Sequence, residues 1–280
     1  MKRAIQQFQL RTTVQSEEQA RTTLRLVKEA GYEGIDLNGF MIRKMPFYLP
    51  MLTRLAGMPI GRSGLLNWKA LIDESRLEVV GLHEDLGSTL GDPEAIVEEV
   101  RSFGTGYVVV TGMFRCDFSR QEAVIELSRK LNWAGKLLKQ GRVNLLYHNH
   151  NSEFRKVESG RPAYEILMEY TDFECVNVEY DSYWAIVASC DTVQWMDALG
   201  NRAKMLHIDD RGTRVKGPAG SMLKFDSIEL GFGNVNLLGL IASAKENGVE
   251  AIILETHKNW VDNSPVKSAQ LSAEFLKNHL

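Results

Sequence analysis

Eight short β-rich runs, mostly separated by helical patterns, fill this chain almost from end to end, and that alternation constrains the fold more than any other feature. The runs lie at residues 3–10, 32–37, 77–83, 106–111, 143–148, 175–181, 204–209 and 250–255. The fourth, GYVVVT, is almost wholly apolar, as expected of a parallel strand covered on both faces. Between the runs stand helix signals. Ser16 with Gln19 three residues on opens a helix that stops at Gly31, and Asp92 before Pro93 opens one through Val100. Ser119 with Glu122 opens a long helix ending near Gly141, and Ser264 before Pro265 opens the last, reaching Lys277. Helical patterns also cover 161–170, 192–199 and 236–247.

A closed (β/α)8 barrel and a doubly wound open sheet both have this order. A dinucleotide-binding sheet needs a GxGxxG turn after its first strand, where this chain has LRTTVQS. FGTG at 103–106 and LGFG at 230–233 do not follow strands in the required way. The expected fold is therefore α/β, a (β/α)8 TIM barrel forming one domain over residues 1–280. An enlarged, Met- and Pro-rich loop is expected at about 38–70.

Composition narrows the function classes. The 33 Lys and Arg against 36 Asp and Glu leave a formal charge of -3, so no basic surface for nucleic acid is expected. No run of 18 apolar residues occurs, so no membrane span is expected, and the N-terminal MKRAIQQFQLR lacks the apolar stretch of a signal peptide. Cys116, Cys175 and Cys190 lie far apart without a CxxC pair, which argues against a disulfide scaffold and for a reducing compartment. A cytoplasmic protein is the expectation.

Chemistry gathers where the runs end. His83 closes the third, His148 the fifth, Asp181 the sixth, His207 the seventh and Glu255 the eighth. In a barrel these ends open on one face, where active sites are built. Two imidazoles and two carboxylates from His148, Asp181, His207 and Glu255 suit one divalent ion, Mn, Zn, Co or Fe, and the two carboxylates offset its charge. The same four residues could instead serve separate loop-capping duties.

The motifs QFQLR (7–11), GYEGIDLNG (31–39), GLHEDL (81–86), YHNHNSEF (147–154), EYDSYW (179–184), LHIDD (206–210), ELGFG (229–233) and IILE (252–255) resemble the sugar phosphate isomerase/epimerase superfamily of xylose-isomerase-like barrels over essentially the whole chain. The resemblance implies one divalent metal, often manganese, at His148, Asp181, His207 and Glu255. Many members carry Glu where this chain has His148, so only Glu255 remains of the glutamate pair that serves epimerisation there. Many also carry DxxH where this chain has Asp181 followed by Trp184, which removes the histidine that a DNA-repair branch requires.

Other residues are candidates for contact with substrate or for proton transfer. His150, two residues beyond His148, faces the same way in an extended strand and suits catalysis or substrate binding, since imidazole titrates near neutrality. Glu153 suits acid–base work or a salt bridge. Glu179, one pleat below Asp181, suits an orienting role behind a ligand or a satisfied buried position. His83 stands at the superfamily's substrate position, and Trp184 could wall a sugar ring or pack in the core. Glu229 could bind sugar hydroxyls beside the turns of Gly231 and Gly233. His257 could line the mouth. Arg211 and Lys216 could meet an anionic substrate or simply be solvated. Met41, Met45, Met51 and Met58 suit a lid, a subunit contact or ordinary packing, and are the one hint of a homo-oligomer.

The expected function is a divalent-metal-dependent isomerase or epimerase acting on a keto/aldo sugar or related polyol through an enediol(ate), with Glu255, His150 or Glu153 carrying the proton. The same first half-reaction also serves a lyase that eliminates water or an aglycone from a keto-sugar or keto-inositol. A non-catalytic sugar-binding protein is the third class, disfavoured by the complete ligand set.

Overall fold

A computed structural model describes residues 1–44, 63–112, 116–214 and 224–280. Its elements are β1 (Lys2–Gln6), α1 (Glu17–Ala30), β2 (Gly34–Asn38), α2 (Gly39–Ile42), α3 (Trp68–Ser75), β3 (Glu78–Glu84), α4 (Leu86–Gly91), α5 (Pro93–Ser102) and β4 (Tyr107–Val110). They continue with α6 (Gln121–Gln140), β5 (Asn144–His148), α7 (Ala163–Tyr170), β6 (Val176–Asp181), α8 (Ser182–Val187), α9 (Thr192–Leu199) and β7 (Ala203–Ile208). The last are β8 (Asp210–Gly212), β9 (Asp226–Ile228), α10 (Leu237–Glu246), β10 (Ala251–Leu254) and α11 (Pro265–His279). Eight strands close a barrel in the order β1-β10-β7-β6-β5-β4-β3-β2, while β8 and β9 form a separate antiparallel ribbon. The expected (β/α)8 fold is the observed one. Two compact units share the chain: Met1–Val80 with Ile208–Ile241 and Ala251–Leu280, and Gly81–His207 with Ala242–Glu250. No helix among the described residues is long and apolar enough to cross a membrane.

In the first unit, α1 forms where its signals stand. The Ser16 side chain accepts from Gln19 N–H, Glu17 and Glu18 sit in the first turn, and Gly31 ends the helix at φ 106°. Ala20, Leu24 and Val27 make its buried stripe. In the second unit, Val108, Val109 and Val110 of β4 are all buried, which explains why that strand shows no apolar–polar alternation. Long α6 buries Leu127, Leu131, Ala134 and Leu138, and Gly135 lets it approach the backbone before β6. A Cβ on Gly135 would lie 2.3 Å from the Cys175 carbonyl oxygen. Gly135→Ala is therefore expected to destabilise the protein by about 2 kcal/mol through overpacking, read as a lower urea midpoint at unchanged slope.

Register at the strand ends decides which side chains meet. β5 and β6 pair with His148 opposite Glu179. Between β6 and β7 the register shifts: Val178 faces Ala203, but Glu179 faces Met205, so β7 carries one extra residue, Lys204. Without that bulge Asp181 would stand opposite Leu206. With it, Asp181 stands opposite His207, an example of a bulge re-aiming a side chain at a site.

Several boundaries differ from expectation for local reasons. The first strand ends at Gln6, because the Gln6 side chain accepts from Phe8 N–H and turns residues 7–10 into a 3-10 helix. Helix α6 starts at Gln121, because Ser119 is engaged with Asp117 through its N–H and its hydroxyl. Helices α4 and α8 and the β8–β9 ribbon were not legible from periodicity, being only three to six residues long. Most of the loop expected at about 38–70, including Met45, Met51 and Met58, lies outside the described residues. Within its described parts stand α2, with Met41 buried, a 3-10 turn at Ser63–Leu65, and the start of α3.

Candidate metal centre

Three strand-end imidazoles of the second unit converge on one carboxylate. Glu179, with no exposed surface, holds Oε1 3.0 Å from His83 Nε2, 3.0 Å from His148 Nδ1 and 3.0 Å from His207 Nε2. The rings of His148 and His207 meet edge to face at 4.8 Å between centroids, and His83 stands 5.3 Å from His148 and 5.8 Å from His207. Burial raises the pKa of the Glu179 carboxyl. The charge of His207 and His83, with hydrogen bonds from His148 and His207, outweighs burial and holds it well below the usual carboxylate range.

The same two imidazoles face a second carboxylate with their other nitrogens. His148 Nε2 lies 3.6 Å from Asp181 Oδ2, and His207 Nδ1 lies 3.9 Å from the same oxygen. Each ring thus stands between Glu179 and Asp181, turning one nitrogen to each. Asp181 is held firmly: its Oδ1 accepts from Trp184 N–H at 3.2 Å and caps α8. Asn149 braces its backbone from both sides, accepting Asp181 N–H at 3.0 Å and donating to the Asp181 carbonyl at 2.9 Å. Ser182 Oγ donates to the His207 carbonyl at 2.9 Å, tying the loop after β6 to β7.

One set of side chains within the second unit could hold a metal ion: His83, His148, Glu179 and His207, with one ligand atom per residue lying within 4.8 Å of the others. Of the four residues that strand-end placement singles out in the sequence, His148, Asp181 and His207 stand in this unit and Glu255 in the other. Imidazole and carboxylate donors in this mixture fit a borderline divalent cation. The shared histidines cannot offer one nitrogen to Glu179 and the same nitrogen to a cation. The outer nitrogens facing Asp181 therefore fit a ligand role, and the inner ones fit the carboxylate–histidine arrangement that fixes a ligating ring.

The remaining candidates fall at various distances from this cluster. His150 stacks edge-on to His148 at 5.1 Å, lies 5.3 Å from the Trp184 ring, and keeps Nδ1 3.1 Å from Thr111 Oγ1. Glu153 has no exposed surface; its carboxylate accepts from Tyr147 Oη and Ser152 Oγ, both at 2.7 Å, and burial raises its pKa. Glu255 follows β10 in the first unit, with His257 Nε2 3.0 Å from its Oε1. Glu229 is buried and committed to Ser268 Oγ, Arg214 and Val261 N–H, so its carboxylate anchors the loop it begins. Arg211 lies in β8, and Lys216 lies outside the described residues.

Sequence reasoning overlooked Asn149 and the gathering of three imidazoles on Glu179. The first was written in the YHNH motif as the residue between the histidines. The second depends on the register of three strands, which no local pattern states.

A closed eight-stranded barrel with strand-end histidines and carboxylates able to bind a divalent cation defines a metal-site TIM barrel of the kind found in sugar-processing enzymes. The sequence profile of the Xylose isomerase-like TIM barrel family matches residues 24–279, and the chain belongs to that family. The membership expected from its motifs thus holds. Among solved structures, a sugar phosphate isomerase/epimerase from Parabacteroides distasonis superposes with a TM-score of 0.76 at 20% identity, covering 99% of this chain and 93% of the other. A probable 3-DHS dehydratase from Bacillus anthracis gives 0.68 at 14% identity, covering 100% of both chains. A D-allulose 3-epimerase from Methylomonas sp. gives 0.65 at 14%, covering 100% of this chain and 98% of that one. At these identities the likeness is one of fold. No curated protein sequence matches the chain closely enough to show a relationship.

Proposed function

We propose that this protein is a divalent-cation-dependent isomerase or epimerase of a keto/aldo sugar or related polyol, with His148, Asp181, His207 and Glu255 as ligands of one ion. The observation that carries this reading is the two-sided engagement of His148 and His207. With Nδ1–H of His148 donated to Glu179 and Nε2 of His207 turned to the same oxygen at 3.0 Å, the nitrogens left for a cation are those that face Asp181. Strand order supports Glu255 as the fourth ligand, since β10 neighbours β7 in the barrel. Two neutral imidazoles and two carboxylates balance a +2 charge, and manganese is the ion expected, ahead of zinc, cobalt or iron. When bound, the cation supplies Lewis-acid stabilisation of negative charge developing on a substrate oxygen.

The chain's own groups do the rest. Glu179 fixes the tautomer and plane of both ligating rings. His150, anchored by Thr111 and backed by Trp184, takes the carbon-bound proton and returns it to the neighbouring carbon in isomerisation. Glu255 is the second proton carrier, for a return on the opposite face in epimerisation. Glu153 is closed off under Tyr147 and Ser152, so in this reading it holds the loop rather than a proton. Trp184 offers an apolar wall for the sugar ring, with His83 and His257 as polar contacts. The three cysteines, all unpaired, support a reducing cytoplasmic location.

The test runs the Mn2+-loaded protein on keto-sugars and keto-inositols in heavy water. Isomerisation or epimerisation gives one carbon-bound deuterium without other change in mass. Loss of water or release of an aglycone makes the protein a lyase on the same site. No exchange into any of them, together with less than about 0.1 equivalent of bound cation after loading, refutes the enzyme reading.

A further inference from the structure

The QFQLR motif after β1 contributes nothing to the ligand set, yet its side chains grip the segment that carries Glu255. Gln9 is fully buried; its Oε1 accepts the N–H of Thr256 at 2.8 Å, and its Nε2 donates to the Pro265 carbonyl at 3.4 Å. Thr256 is held on its other side, where Oγ1 donates to Asp209 Oδ1 at 3.2 Å. Arg11 reaches one residue further. Its guanidinium donates to the His257 carbonyl at 2.8 Å and the Phe8 carbonyl at 3.1 Å. It lies over the rings of Phe8 at 4.6 Å and Trp260 at 5.1 Å, and Trp260 Nε1 donates back to the Thr256 carbonyl at 2.6 Å.

The charge of Arg11 is unusual. The residue is 5% exposed and has no salt-bridge partner among the described residues, and the carboxylate whose charge reaches it is that of Glu255. A buried guanidinium is costly unless hydrogen-bonded and balanced. Here one donor goes to the His257 carbonyl, two residues beyond Glu255, the other goes to the Phe8 carbonyl of its own turn, and its balance is the Glu255 carboxylate. A planar fork stacked between two rings also holds those carbonyls more rigidly than a flexible ammonium can.

We propose that Gln9 and Arg11 are positioning residues for Glu255, fixing residues 256–260 so that the Glu255 carboxylate stands where a cation needs it. The proposal rests on the reading of Glu255 as a ligand. Its sign is distinctive. By charge alone, removing Arg11 takes a positive group away from a cation site and strengthens cation binding. By positioning, removing it lets the carboxylate wander and weakens binding, and the second effect is the one expected to dominate.

The experiment titrates the full-length protein with Co2+, following the visible d–d absorption against a competing chelator, for wild type, Arg11→Met, Arg11→Lys and Gln9→Met. All three variants are expected to bind Co2+ about 10–100-fold more weakly, the range seen when support behind a ligand is lost, with an altered d–d spectrum. In a Glu255→Gln background, Arg11→Met is expected to have little further effect, since the residue it positions is already lost. A general loss of stability would instead weaken binding in both backgrounds. If Arg11→Met does not fold, Arg11→Lys, which keeps the charge, and neutral Gln9→Met carry the same expectation. Variants binding Co2+ as tightly as wild type, or more tightly, overturn the proposal. Wild type that binds no Co2+ sinks the ligand reading beneath it instead.

Discussion

Asp181→Asn will leave the protein folded and lower its affinity for Mn2+ or Co2+ by more than about 100-fold, beyond the 10–100-fold typical of changes outside the ligand shell. The substitution is chosen because Asp181 has two duties that asparagine separates. Oδ1 caps α8 through Trp184 N–H, and an asparagine carbonyl caps as well as a carboxylate does. Oδ2 faces His148 Nε2 and His207 Nδ1, and there an amide nitrogen places a donor where a cation requires a negative oxygen. Asp181→Ala removes both, so it should lose the same affinity and about 1 kcal/mol of stability as well. Isothermal titration with each cation gives the affinities, and urea unfolding of the cation-free proteins gives the stabilities. Asp181→Asn binding Mn2+ within threefold of wild type would falsify the ligand assignment.

How far such a site can be read in advance depends on which residues are fixed by strand ends and which by register. His148, Asp181, His207 and Glu255 each close or follow a β-rich run, so the alternation of strand and helix was enough to expect them on one face. His83 and Glu179 were visible as polar residues in strands, but their meeting was not. Glu179 reaches His148 because β5 and β6 pair residue for residue there, and Asp181 stands opposite His207 because β7 holds one extra residue at Lys204. A one-residue bulge leaves no signature in hydrophobic periodicity. The loss of Glu at the end of the fifth run likewise looked like the removal of a carboxylate from the site. In three dimensions a carboxylate from the next strand, Glu179, comes to the same imidazole from below. The short elements escaped for a different reason: α8 is six residues long and is started by Asp181 itself, a residue already claimed for the site. The QFQLR segment read as strand because its alternation is regular, whereas the Gln6 side chain diverts it into a turn and releases Gln9 and Arg11 for tertiary contacts.

Glu179→Leu should be the most damaging single change in the barrel, more so than loss of any one histidine around it. Three imidazole nitrogens lie 3.0 Å from one carboxylate oxygen in a place without solvent. Removing that carboxylate takes away the one charge that all three imidazoles face, two of them buried, and breaking a buried charged network of this kind costs about 3–5 kcal/mol. Glu179→Gln is the graded companion. Its carbonyl can occupy the Oε1 position, and its amide can take the place of Oε2, which is buried and without a hydrogen-bond partner. It therefore keeps neutral hydrogen bonds in place of charge-assisted ones, roughly half as strong, and should lose less stability than the leucine variant. Both variants free the two ligating rings to turn or to change tautomer, so both should bind Co2+ at least about tenfold more weakly than wild type even under conditions where each is fully folded. The ordering of stabilities, wild type above Gln above Leu, is measured by urea unfolding without cation, and the affinities by chelator competition. A leucine variant as stable as wild type would mean that the three imidazoles do not depend on Glu179. A stable glutamine variant with undiminished Co2+ affinity would mean that the rings are oriented by packing alone.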